Sequence, residues 1–221
     1  MRLELSEKRF IGSIGLLSLL CISLFVVRAL ATHTSHYWFI VENLGLAWLP
    51  LLLIWLLSHE LKVRRWLSWQ NISLSVLWLA FLPNTWYVLT DFVHVQPTGE
   101  INLLYDIVMV STVVFSGFIL GFTSLYLMHI QLLKRLSRPV SHTLVGLIIL
   151  LSSFAIYLGR ELRWSTWDVI TNPGGIILNV SDRVIDPLGH IHAVNITGLF
   201  FVLIGVIYLT IWQFFKPPTR H

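Results

Sequence analysis

Residues 103–128 read LLYDIVMVSTVVFSGFILGFTSLYLM. A membrane-crossing helix needs about 20 apolar residues, and this run supplies them with a single charged side chain, Asp106, near its start. An acid at that depth is costly unless it faces the inside of a helix bundle. Five other stretches meet the same length requirement: 10–27, 38–57, 72–89, 140–158 and 193–215. The third of the six spans holds Pro83-Asn84, which neighbouring helices can accommodate.

The whole composition agrees. Of 221 residues, 56% are hydrophobic and 12% charged, and the mean hydropathy is +0.76. A soluble domain carries about 45–50% apolar and about 25% charged residues. A soluble enzyme, a disordered chain and a disulfide scaffold are thereby excluded. The expected fold is all-α: one integral membrane domain over residues 1–221, a polytopic bundle of six transmembrane helices. The lone cysteine, Cys21, sits in an apolar run and reads as a small lipid- or core-facing side chain.

Orientation follows from the basic residues. Arg2, Lys8, Arg9, Lys62, Arg64, Arg65, Lys134, Arg135, Arg138, Lys216 and Arg220 fall on one side, and only Arg28, Arg160, Arg163 and Arg183 on the other. Basic residues mark cytoplasmic segments, so both termini are expected in the cytoplasm. The same rule accounts for the net charge of +4 without nucleic acid as a partner. Trp38, Trp86, Trp164 and Trp167 fall near the outer boundary and Trp66, Trp69 and Trp212 near the inner one, as an aromatic belt would. Ala29-Leu30-Ala31 resembles a signal-peptidase site. The long apolar run before it and the adjacent Arg28 favour an uncleaved anchor. The connection 159–192 is long and extracytoplasmic in this scheme. Asn172-Pro173-Gly174-Gly175 and Asp186-Pro187-Leu188-Gly189 are turn signals in it, with apolar residues between them that suggest a segment dipping into the interface.

Polar residues that carry chemistry gather at the outer ends of the spans. Asn84, Tyr87, Asp91 and His94 occupy about 80° of arc if the third helix continues. Asn102, Tyr105 and Asp106 open the fourth span, where a carboxylate also suits the helix dipole. On the Asp106 face lie Gly117, Gly121 and Ser124, a small-residue stripe that reads as packing. Glu42-Asn43 lies about one turn inside the outer boundary and either joins this cluster or snorkels. After the fifth span come Arg160, Glu161, Arg163, Trp164, Trp167 and Asp168. These arginines oppose the charge bias. Either Asp91, Asp106 or Glu161 neutralises them, or they hold an anionic group such as phosphate or carboxylate. With His33, His36 and His94, the pair His190 and His192 puts imidazoles on the same side. Their spacing is no metal-ligand motif, so no metal is assigned, and no cofactor is identified.

Pro83-Asn84, Tyr87, Thr90-Asp91 and His94, then Tyr105-Asp106, then Gly159-Arg160, Arg163 and Trp167-Asp168 resemble, in order and spacing, the bacterial membrane proteins grouped as domain of unknown function 1361. The family pattern has Asn-Ser where this chain has Ser165-Thr166. The resemblance implies a multi-pass protein of the bacterial cell membrane and supplies no reaction. Function therefore rests on the residues. One reading is an enzyme at the outer boundary, with Asp91, His94, Asp106 and Asp168 as catalytic candidates. Asn84, Tyr87, Arg160, Arg163 and Trp167 would bind an anionic lipid-linked or small substrate. The others are a proton-coupled transporter component and an assembly or sensor protein docking a partner through 159–192.

Overall fold

In a computed structural model, residues 2–97, 99–162, 164, 171–186 and 189–215 are described. The regular structure among the described residues is helical, with no strand. In order they form α1 (Arg2–Thr32), α2 (Phe39–Glu60), α3 (Trp69–Phe81), α4 (Asn84–Tyr87), a 3-10 helix (Val88–His94), α5 (Leu103–Leu133), α6 (Arg138–Glu161), α7 (Pro173–Ile185) and α8 (Ile191–Phe215). Six helical segments are long and apolar enough to cross a membrane: Lys8–Thr32, Phe39–Glu60, Trp69–His94, Leu103–Leu133, Arg138–Glu161 and Ile191–Phe214. Most outrun the apolar stretches of the sequence, because helical hydrogen bonding continues past the last residue that needs lipid.

The chain divides into two compact units, Met1–Ser124 and Leu125–His221. In the first, Cys21, Phe25, Ile40, Leu44, Val88, Met109 and Val113 build the core. Cys21 is thus core-facing. The third span is not one continuous α-helix. Pro83 has no N–H to donate to the preceding turn, and α3 ends at Phe81. Side chains reinforce the break: the Asn84 amide donates to the Phe81 carbonyl at 3.1 Å, and the Thr85 hydroxyl joins the Thr85 N–H on that of Leu82, at 2.7 Å and 3.1 Å. From Val88 the chain winds as a tighter 3-10 helix, so the stripe expected from α-helical spacing is divided. Asp91 is buried and His94 exposed, with Asn84 and Tyr87 between those limits.

The broken segment sits against the glycines of α5. A Cβ on Gly117 would strike the Thr85 carbonyl oxygen and come within 2.7 Å of Val88 Cγ2. A Cβ on Gly121 would strike the Thr85 hydroxyl and reach Trp86 Nε1 at 3.0 Å. One turn on, Trp78 Nε1 donates to Ser124 Oγ at 2.8 Å. The small-residue stripe therefore does what its spacing indicates: it lets another backbone approach closely. Two tryptophans depart from the belt. Trp86 is fully buried against Phe122, and Trp212 is buried with its ring stacked on His129 at 4.1 Å. Each fills core volume instead of facing headgroups.

In the second unit, α6 packs along α8. The long connection is partly helical. Asn172 is an N-cap, its side-chain oxygen accepting from the Gly175 N–H at 3.1 Å, and Pro173 occupies the first turn. Asn-Pro-Gly-Gly thus starts α7, since proline in a first helical turn forfeits only a donor that has no partner there. At the other end the Asp186 carboxylate accepts from the Gly189 N–H at 2.9 Å.

Gly117→Ala is expected to destabilise the protein by about 1–3 kcal/mol, because backbone at Thr85 cannot yield as a side chain would. The midpoint of unfolding in denaturing detergent measures this; an unchanged midpoint contradicts the packing described.

Candidate functional site

The first unit holds a buried polar centre at the end of the bundle where α1 finishes and α5 begins. Arg28 lies in the last turns of α1, and its side chain is only 2% exposed. Its Nε donates to Asp106 Oδ1 at 2.7 Å and its Nη2 to Asp106 Oδ2 at 3.2 Å. A planar guanidinium can fork onto a carboxylate in this way, and an ammonium cannot. The side chain of Asp106 is 1% exposed. Arg28 also reaches Thr34 Oγ1 at 3.5 Å and Glu100 at 3.9 Å, the latter half open to the outside.

Tyr37, in the turn before α2, completes this group. The Arg28 guanidinium carbon lies 4.4 Å from the Tyr37 ring centroid, a cation–π contact. The Tyr37 hydroxyl is 3.3 Å from Asp106 Oδ2 and 3.2 Å from the backbone oxygen of His94. Burial, and then the Asp106 carboxylate, push the Tyr37 phenol above its ordinary range, with Arg28 acting in the opposite sense. Tyr37 therefore serves as a proton donor in hydrogen bonds across the neutral pH range. Tyr105, beside Asp106, donates to the Leu24 carbonyl at 2.7 Å and ties α5 to α1 a second time.

Asp91 occupies a second position in the same unit. It is 2% exposed and accepts a hydrogen bond from Asn43 Nδ2 at 2.8 Å. Asn43 thus joins the cluster, whereas Glu42 is exposed. The His94 ring lies 5.0 Å from that of Phe39. Asn102 turns to its own helix, its side-chain oxygen accepting from the Leu104 N–H at 2.9 Å.

In the second unit Arg160 lies in the last turn of α6, partly buried. Glu161 faces His192 at 3.5 Å, and His190 faces Asp182 at 3.0 Å. Arg183 Nε donates to Tyr157 Oη at 3.2 Å. The two histidines of α8 and its approach thus meet one carboxylate each, a charge pair whenever the imidazole is protonated. Among the described residues no three His, Cys, Asp or Glu side chains gather in a group able to hold a metal ion. Arg163, Trp167 and Asp168 lie outside the described residues.

Of the sequence candidates, the structure brings Asp91, Asp106 and the backbone of His94 into one unit with Asn43. Asp106 is neutralised by Arg28, where the sequence reading offered Arg160 or Arg163. Arg28 and Tyr37 are the residues that reading missed. The signal was present: Arg28 stands at the end of the first apolar run, apart from the other basic residues before Arg160, and an intramembrane acid requires a counter-ion.

These features define a helical multi-pass membrane protein with a buried ionic centre. The chain belongs to the family described as "Protein of unknown function (DUF1361)", whose model matches residues 42–211. No curated protein and no solved structure matches the chain.

Asp106→Asn keeps the side-chain shape but leaves buried Arg28 with only the more distant, half-exposed Glu100 as a counter-charge. The expected loss is about 3–5 kcal/mol, read as a fall in the detergent-unfolding midpoint. Wild-type stability in this variant would contradict the ion pair.

Proposed function

We propose that this chain is a multi-pass protein of a bacterial cell membrane, with both termini cytoplasmic. Its polar centre works at the extracytoplasmic boundary. There Asp91 acts as an acid/base group toward an anionic lipid-linked or small substrate. The observation that carries this reading is a second buried carboxylate, Asp91, carried on the irregular 3-10 segment at the same end of the first unit. Asp106 is occupied by Arg28 on both oxygens. Asp91 accepts from the Asn43 amide at 2.8 Å, which orients its carboxylate. Positioned carboxyl groups of this kind are general acids or bases. Arg28, Tyr37 and Asp106 are the frame that keeps the 3-10 helix and α1 in register. Arg160, Arg163, Trp167 and Asp168 remain candidates for substrate contact, and His94 for a second proton-transfer group.

The frame also bears on the first span. Cleavage after Ala31 would remove Arg28 and strand Asp106 without its counter-ion, so α1 is kept as an anchor in this proposal. A proton-relay reading, as in a transporter component, draws on the hydroxyls buried farther along α5. However, Thr112 and Ser116 donate to carbonyls of their own helix, which favours a site confined to one end.

Two measurements test the proposal. In a Cys21→Ser background, Glu100→Cys is expected to react with a membrane-impermeant maleimide in intact cells, and Lys62→Cys only after permeabilisation. The reverse pattern overturns the orientation. For function, anionic lipids and small metabolites are compared by mass spectrometry between cells producing the wild type and cells producing Asp91→Asn at equal membrane levels. At least one species is expected to turn over on the order of 10²–10⁴-fold more slowly with the variant. Identical profiles overturn the acid/base role.

A further inference from the structure

The connection between α2 and α3 has a structure that simple topogenic charge does not require. Lys62, Arg64 and Arg65 are all exposed. Among them stand apolar side chains left open by the described residues: Val63 is 86% exposed, Leu67 85% and Trp69 71%. The segment is nevertheless well built. The Arg64 N–H donates to the Glu60 carbonyl at 2.8 Å and the Ser68 N–H to that of Arg65 at 3.0 Å. From below, fully buried Asn71 donates through Nδ2 to the Arg65 carbonyl at 3.0 Å. The Arg64 guanidinium is held from two sides. Its Nε lies 3.5 Å from Glu60 Oε2. With the Gln70 amide turned so that its oxygen faces the donors, that oxygen accepts from Arg64 Nη1 at 2.7 Å and Trp69 Nε1 at 2.8 Å.

The positions of these groups select a ligand. Both flanking spans, Phe39–Glu60 and Trp69–His94, are long and apolar enough to cross the membrane, and only 61–68 separates them, so the connection is confined to headgroup depth. At that depth valine, leucine and tryptophan enter the acyl border instead of facing water. Cations beside them face lipid phosphates. Three cations against Glu60 leave the surface positive. We propose that this connection is a binding site for an anionic phospholipid. Arg64 and Arg65 take the headgroup phosphate, Lys62 supports them, and Val63, Leu67 and Trp69 anchor the segment at the acyl border. Phosphate and guanidinium match in forked geometry, and the contacts from Glu60 and Gln70 set the Arg64 fork in advance.

The test uses the full-length protein reconstituted in phosphatidylcholine vesicles. Spin-labelled phosphatidylglycerol is compared with spin-labelled phosphatidylcholine, and the motionally restricted fraction gives relative association. The wild type is expected to prefer phosphatidylglycerol, and Arg64→Gln/Arg65→Gln to lose that preference by on the order of fivefold per cation. Arg64→Lys/Arg65→Lys, which keeps charge but not the fork, is expected to keep only part of it. Lys134→Gln/Arg135→Gln removes the same charge elsewhere and is expected to change it little. Phosphate added at constant ionic strength is expected to leave it intact. The proposal is overturned if the wild type shows no preference, if the Lys134/Arg135 control loses as much, if the lysine variant matches the wild type, or if inorganic phosphate displaces the lipid.

Discussion

The forked contact between Arg28 and Asp106 governs how residues 1–124 are put together. Both side chains are almost wholly removed from the outside. In a low-dielectric interior neither charge is tolerable alone, and the cost of stranding one exceeds what most packing contacts contribute. The pair fixes the end of α1 against the start of α5, and Tyr37 extends it to the backbone at His94. Register along the first, third and fourth spans is consequently set by an ionic contact at one end and by glycine packing along α5. Apolar side chains alone specify neither, because lipid is as good a neighbour for leucine as another leucine is.

The third span shows how a local fault becomes a site. Proline ends α3, the side chains of Asn84 and Thr85 bind carbonyls on either side of the break, and the chain resumes as a 3-10 helix. Asp91 is then directed inward, to Asn43, and His94 outward. Gly117 and Gly121 make this possible, because an irregular segment needs room that α-helical packing does not leave. Irregular backbone at membrane depth survives only where protein encloses it, and here the glycine face of α5 encloses it.

Much of this was legible from residues alone. Six apolar runs, the glycine stripe and the proline break all correspond to observed elements. Length and spacing are local properties, and a helix in lipid has few alternatives. The polar stripe 84–94 was legible only in part, since its angles assumed α-helical winding that Pro83 and the following 3-10 turn abolish. Asn172-Pro173 reads as a turn in sequence because the same residues serve turns and helix starts, and only the Gly175 N–H contact distinguishes them. The partner of Arg28 is remote in sequence, and nothing local marks which of several arginines will neutralise a given acid. Trp86 and Trp212 show the same limit, for a tryptophan near a boundary reads alike whether it meets headgroups or fills a core.

The most direct measurement exchanges the two charges. Arg28→Asp and Asp106→Arg, made singly, each place two like charges in one buried position, and the doubly exchanged chain restores opposite ones. Yield of monodisperse protein in mild detergent is the readout. If the contact organises the first unit, each single exchange abolishes that yield and the double exchange recovers a substantial part of it. If either single exchange yields folded protein at the wild-type level, the ionic contact does not hold these helices, and the account fails.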